Sequence, residues 1–221
     1  PGIHVTLMAT VPMRPILPPD EVPSLIAPDG FFHRGLQDFL KGQPKIAEVE
    51  REVRAQIAKC QGSGLRFVYL DWHMASNGGK EHPEIEALFQ DLCREYGLLY
   101  THDIQDLDGY YSGAKYFPAN LEAWGTQVLP DGRLVYWCGP ELPEATRLQF
   151  LATLAALAPG TWYTVCHPGL YARRQAQSVA VICSQEVKDI LRARGIRLIS
   201  YADLRKRRLD RSGRVPGPND A

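Results

Sequence analysis

Three of the six histidines lie within or just after stretches that predict β-strands. His4 occupies a polar position of the first stretch, His73 lies two residues after the second, and His167 directly follows a later one. Catalytic groups of parallel α/β folds gather at the carboxyl ends of the strands. Two or three neutral imidazoles there could hold a divalent metal ion and leave positions open for water. A single histidine at a strand end is more often a structural residue that forms a hydrogen bond, and the spacing leaves both interpretations open.

Two further side chains adjoin these histidines. Asp71 lies two residues before His73 and shares its side of the strand if the strand continues that far. Its carboxylate could orient an imidazole, or it could cap the following turn. Cys166 directly precedes His167, but neighbouring residues of a strand point to opposite faces, which is poor geometry for a Cys–His nucleophile pair.

Helical and extended patterns alternate along most of the sequence. The predicted helices are residues 44–61, 83–96, 143–158 and 184–194, and the predicted strands are residues 3–7, 65–71, 98–101, 161–166 and 196–199. Such alternation predicts parallel strands with helices packed outside them, as in an α/β barrel or an open doubly wound sheet. The strands would then bring the histidines to one edge of the sheet.

The segments between and after these elements indicate where the predicted domain ends. Residues 12–28 contain six prolines and predict a long ordered loop, a kind of segment that often contacts ligand. No repeat or linker is evident, so we predict one α/β domain over residues 1–204. Residues 205–221 are basic and then rich in proline and glycine, which predicts a mobile tail.

Composition narrows the choice of partners and compartment. The 221 residues include 25 Lys and Arg against 25 Asp and Glu, so the formal net charge is zero. This balance removes the main electrostatic reason to expect nucleic acid or an anionic membrane as partner. No apolar stretch is long enough to span a bilayer. Five cysteines with no C-x-x-C pair disfavour a disulfide framework and predict a protein of the reducing cytoplasm.

Three short motifs in order resemble those of the YdjC-like carbohydrate deacetylases. Residues 2–7 (GIHVTL), followed by Arg14 and Pro15, resemble the family's G-[LIV]-H-[LF]-T-L…R-P segment. Residues 65–74 (LRFVYLDWHM) resemble its strand ending in L-D-S-H, and residues 166–169 (CHPG) resemble its H-P-[GA] motif. The resemblance extends from residue 1 to about residue 204, where GIRLISYADL is similar to the closing segment.

The resemblance implies a distorted (β/α) barrel related to polysaccharide deacetylases. It also implies a hydrolase that removes the acetyl group from an N-acetylated amino sugar with a divalent metal ion, zinc or magnesium. By position, His4 and His73 match metal-binding histidines, and His167 matches the histidine that protonates the leaving amine. Arg14 and Trp72 are candidate substrate-binding residues. The expected partner is a small saccharide, with a homodimer as the possible assembly.

The sequence departs from the family pattern in two places. The family carries an Asp-Asp pair on an earlier strand, one Asp binding metal and the other acting as base, and this sequence opens after that point. We therefore expect a longer natural protein and a barrel that lacks its first strand–helix unit here. Trp72 also replaces the motif's Ser, and Ala75 replaces a later His. The alternative is a non-catalytic saccharide-binding relative or an inactive fragment.

Overall fold

The computed structural model describes residues 1–9, 11–73, 82–101, 115–116, 121, 124–128, 134–138, 142–164, 166 and 173–212. These residues form two compact units. The first contains the described residues up to Thr101 together with those from Ser200 onward, and the second contains those from Lys115 to Ile199. The first unit thus includes residues from both ends of the chain, and the single domain over residues 1–204 stays a prediction.

The strands and helices are as follows. The strands are β1 (Gly2–Val5), β2 (Tyr69–Trp72), β3 (Leu99–Tyr100), β4 (Lys115–Tyr116), β5 (Trp124–Val128), β6 (Leu134–Cys138) and β7 (Trp162–Tyr163). The helices are α1 (Leu36–Lys41), α2 (Ile46–Gln61), α3 (Pro83–Glu95), α4 (Glu144–Ala155), α5 (Arg173–Ile182), α6 (Gln185–Ala193) and α7 (Tyr201–Ser212). A 3₁₀ turn, Pro23–Leu25, interrupts the otherwise irregular loop over residues 11–28, which agrees with the predicted ordered loop.

A parallel sheet of order β1-β2-β3 forms the centre of the first unit, as the alternating pattern predicts. Ile3 and Val5 of β1 are buried, whereas His4 between them is exposed, so one face of the strand packs in the core. Apolar residues of α2 and α3 complete that core, and they recur at the helical spacing seen in the sequence: Val49, Val53, Ile57, Ile85, Phe89 and Leu92. The polar face of β1 is left accessible.

Trp72, a candidate substrate-binding residue in the sequence analysis, packs in the core, and its role in substrate binding stays a prediction. Its side chain is 2% exposed and stacks on Phe89, with ring centroids 5.2 Å apart, while Phe39 approaches edge-on at 6.4 Å. The reason is strand parity. Trp72 pairs in register with the buried Val5, so both side chains point into the core and away from the face of His4.

The end of the chain differs from the sequence prediction. Residues 196–199 form no strand, and residues 205–212, predicted to be tail, continue helix α7. A capping box starts this helix: the Ser200 N–H donates to Asp203 Oδ2 at 2.7 Å, and the Asp203 N–H donates to Ser200 Oγ at 3.2 Å. Leu204 is buried and anchors the first turn. The last predicted tail residues, 213–221, lie outside the described residues.

The second unit has its own small core, which includes Leu121, Phe150, Leu154 and Val187. β4 pairs with β7 in parallel, and β5 pairs with β6 as an antiparallel hairpin that the sequence patterns do not reveal. Ser184 caps the start of α6, because its Oγ accepts a hydrogen bond from the Val187 N–H at 3.3 Å. Across the described part of the chain, every helix is too short or too polar to cross a membrane.

Candidate functional site

Pairing of β1 with β2 brings His4 beside Asp71. The two residues are register partners in the parallel sheet, and His4 Nδ1 lies 3.0 Å from Asp71 Oδ2. The ladder continues one step beyond β2, because the His73 N–H donates to the Val5 carbonyl at 2.8 Å. His73 therefore keeps the parity of Asp71, as the sequence predicts, and its ring lies on the same face of the sheet.

The two imidazoles that the sequence singles out contact each other. His4 Nε2 lies 3.0 Å from His73 Nδ1, and the rings meet edge to face with centroids 5.1 Å apart. When His4 donates its Nδ1–H to Asp71, its Nε2 carries the lone pair on the side facing His73. The His4 side chain is 56% exposed and that of Asp71 is 36% exposed, so a ligand from solvent can reach His4 and Asp71.

Thr101 is a site residue that sequence reasoning missed. Its hydroxyl donates to Asp71 Oδ1 at 2.6 Å, while Asp71 Oδ2 faces His4, so each carboxylate oxygen has its own partner. Thr101 follows β3, and its N–H donates to the Leu70 carbonyl at 3.1 Å. The sequence could have pointed to Thr101, because this residue ends a predicted strand and the strand ends of a parallel sheet meet at one edge.

The histidine pair supplies two nitrogens of the kind that bind divalent cations. His4 Nε2 and His73 Nδ1 are 3.0 Å apart, which is a hydrogen-bond distance. Two nitrogens bound at about 2.1 Å to a tetrahedral zinc ion lie about 3.4 Å apart, so the two rings would have to separate slightly to share such an ion. Imidazole nitrogen suits zinc and several other transition ions, and a carboxylate on the far ring nitrogen is a common outer partner of such ligands. Within the described ranges, no group of three or more His, Cys, Asp or Glu side chains has the geometry of a metal site.

Two other predicted site residues have different outcomes. His167 lies outside the described residues. Arg14 lies in the proline-rich loop, where its guanidinium covers the Phe31 ring at 4.5 Å from the centroid. The Arg34 guanidinium approaches the same ring at 5.7 Å from the centroid. Arg34 also donates a hydrogen bond to Asp29, and this bond, together with one from the Phe31 N–H, holds the pKa of the Asp29 carboxyl below its ordinary value. Arg14 is thus held on an aromatic face.

The architecture belongs to a known class of α/β folds. The chain superposes on a crystal structure from Enterococcus faecalis, described as a cellobiose-phosphate cleavage protein, with a TM-score of 0.66. The match covers 92% of this chain and 77% of that one, at 24% sequence identity. A likeness at this level of identity establishes the fold.

The family follows from the sequence comparison. The profile of the YdjC-like proteins matches residues 1–193, and the chain belongs to this family. A carbohydrate deacetylase of Enterococcus faecalis is 27% identical over 213 residues, which cover 92% of this chain and 76% of that protein. One of Thermus thermophilus is 29% identical over 171 residues, covering 76% of this chain and 61% of that protein. These relatives support the predicted class, a carbohydrate deacetylase hydrolase, and do not favour the non-catalytic alternative.

Proposed function

We propose that this chain carries the imidazole pair of a metal-dependent enzyme that removes the acetyl group from an N-acetylated amino sugar. The observation that carries the proposal is the contact between His4 and His73 at the accessible edge of the parallel sheet, with Asp71 on the far nitrogen of His4. The deacetylase relatives supply the reaction class. A distorted barrel around this sheet, a cytoplasmic location and a homodimer stay predictions from the sequence.

Amide hydrolysis joins a water oxygen to the acetyl carbon and breaks the bond from that carbon to nitrogen. The products are acetate and the free amine, so the nitrogen must gain a proton as it leaves. When bound, a divalent ion activates water and polarises the carbonyl. His4 Nε2 and His73 Nδ1 would hold it in place of their contact with each other, and Asp71 favours the His4 tautomer whose Nε2 carries the lone pair. His167 is the proposed donor of the proton to the amine.

The test is acetate release from N-acetylated chito-oligosaccharides. We compare wild type, wild type with chelator, His73→Ala, and His82→Ala as a matched control. His82 is also a histidine bonded to a carboxylate, with Nδ1 2.7 Å from Glu84 Oε1, but it precedes α3 and takes no part in the pair. We expect chelator and His73→Ala to abolish release and His82→Ala to retain it. Equal rates in all four samples would reject the proposal.

A further inference from the structure

The residue that follows β1 is paired by a side chain instead of a strand. Among the described strands, β1 lies at the edge of its sheet. Just after β1, the Thr6 N–H donates to Gln56 Oε1 at 3.0 Å, and Gln56 Nε2 donates to the Thr6 carbonyl at 2.7 Å. The amide therefore satisfies both backbone groups of Thr6, as a neighbouring strand would. Helix α2 thereby holds β1 two residues after His4.

Glu52, one turn earlier on α2, fixes that amide. Its side chain is fully buried, and Oε1 accepts from Gln56 Nε2 at 2.9 Å. The same oxygen accepts from the Ile16 N–H at 2.9 Å, and Oε2 accepts from the Leu17 N–H at 3.0 Å. A buried carboxylate is costly unless donors surround it, so these N–H groups and Glu52 hold one another in place.

Glu52 thus connects α2 with two segments near the histidine pair. Through Gln56 it reaches the end of β1, which carries His4. Directly it holds residues 16–17 of the proline-rich loop, just after Arg14. We propose that Glu52 is a positioning residue whose carboxylate sets the alignment of His4 with His73. The value of that alignment for catalysis rests on the proposed function, but the alignment itself is measurable without it.

Glu48 provides a matched control on the same helix. Its carboxylate is also buried, and it accepts from both the N–H and the hydroxyl of Ser24, each at 2.8 Å. It therefore anchors the same loop with the same kind of bond. Its hydrogen bonds run to Ser24, whereas those of Glu52 reach Gln56 and, through it, the end of β1. Removing either carboxylate should lower the stability of the fold. Only removal of the Glu52 carboxylate should change the alignment of His4 with His73.

The experiment compares Glu52→Gln and Glu48→Gln with wild type. An amide at position 52 would turn an NH₂ group toward N–H donors, so the network must rearrange. Ring ¹H–¹⁵N spectra of the metal-free proteins at one pH report directly on the histidine pair. We expect the His4 and His73 signals to shift in Glu52→Gln and to match wild type in Glu48→Gln. Zinc titration of the same samples should show about a tenfold weaker affinity for Glu52→Gln only.

Unchanged His4 and His73 signals in Glu52→Gln, or equal changes in both variants, would overturn the proposal. If Glu52→Gln fails to fold, Gln56→Met decides, because it removes the pairing with Thr6 and leaves the bonds from Glu52 to the loop. It should then shift the same two ring signals. The two proposals can fail separately. If the ring signals shift in Glu52→Gln but the wild-type protein binds no zinc and releases no acetate, the positioning role is retained and the proposed function is rejected.

Discussion

The hydrogen bond from Thr101 to Asp71 is the sharpest place to test the site. Thr101→Val replaces the hydroxyl by a methyl group of nearly the same size and leaves the backbone bond to Leu70 in place. Asp71 Oδ1 then loses its donor at 2.6 Å, while Oδ2 keeps His4. The variant therefore changes how the carboxylate is held without changing the histidine pair itself.

The expected magnitude follows from exposure and from the position of Thr101 behind Asp71. A hydrogen bond to a charged group contributes about 1.5–3 kcal/mol. Asp71 is 36% exposed, so water replaces part of the lost bond, and the free energy of unfolding should fall by only about 1 kcal/mol. Loss of an outer partner lowers metal affinity about 10–100-fold, and we expect the lower end because Thr101 acts through Asp71.

The assay is zinc titration by calorimetry together with urea unfolding, on wild type, Thr101→Val and Thr101→Ser. Serine keeps the hydroxyl, so it should recover most of the zinc affinity that valine loses. Equal affinities of wild type and Thr101→Val would refute the reasoning. So would a serine variant as weak as the valine variant, since the loss would then come from packing and not from the hydrogen bond.

Two further predictions concern the frame around the site. The pKa of the Glu48 carboxyl lies below its ordinary value of 4.5, because burial raises it but the N–H and hydroxyl of Ser24 together with the Lys45 ammonium lower it by more. The ionised Glu48 carboxylate therefore stabilises the fold fully above pH 4.5, and this stabilisation is lost as the pH falls through the folded pKa. The urea midpoints of wild type and Glu48→Gln should differ at pH 7 and converge from about pH 5 downward. A difference that stays constant with pH would contradict this prediction. At Gly2, an added Cβ would collide with the Tyr69 ring, which packs against the ring of Tyr201 in α7 with centroids 4.2 Å apart. Gly2→Ala should therefore lower the free energy of unfolding by about 1–3 kcal/mol, and an unchanged urea midpoint would show that Tyr69 moves freely.

The elements most predictable from the sequence are those with a strong period. Helices α2 and α3 fall within two residues of their predicted bounds, because apolar residues recur on one face of each. Helix α1 has only six residues and lies between glycines, too short for a period to emerge. The β5–β6 hairpin was missed because its stability comes from cross-strand pairing, which no single stretch displays.

The burial of Trp72 was likewise not predicted from the sequence. Its place beside His73 in the sequence suggested a place beside the ligand, but adjacent residues of an extended strand point to opposite faces. The core of Phe39 and Phe89 then receives the indole. Trp72 and His73 therefore lie on opposite faces of the sheet, although they are neighbours in the sequence.

The sequence by itself determined which residue types could act and where along the chain they lie. His4, Asp71 and His73 stood out because each adjoins a predicted strand, and the family motifs pointed to the same positions. The tertiary structure decided which of them meet. His4 is 67 residues from Asp71 and 69 from His73 in the chain, yet both contacts are 3.0 Å. Such contacts depend on the register between β1 and β2, which helix α2 and the shared core set through packing that a one-dimensional pattern does not contain.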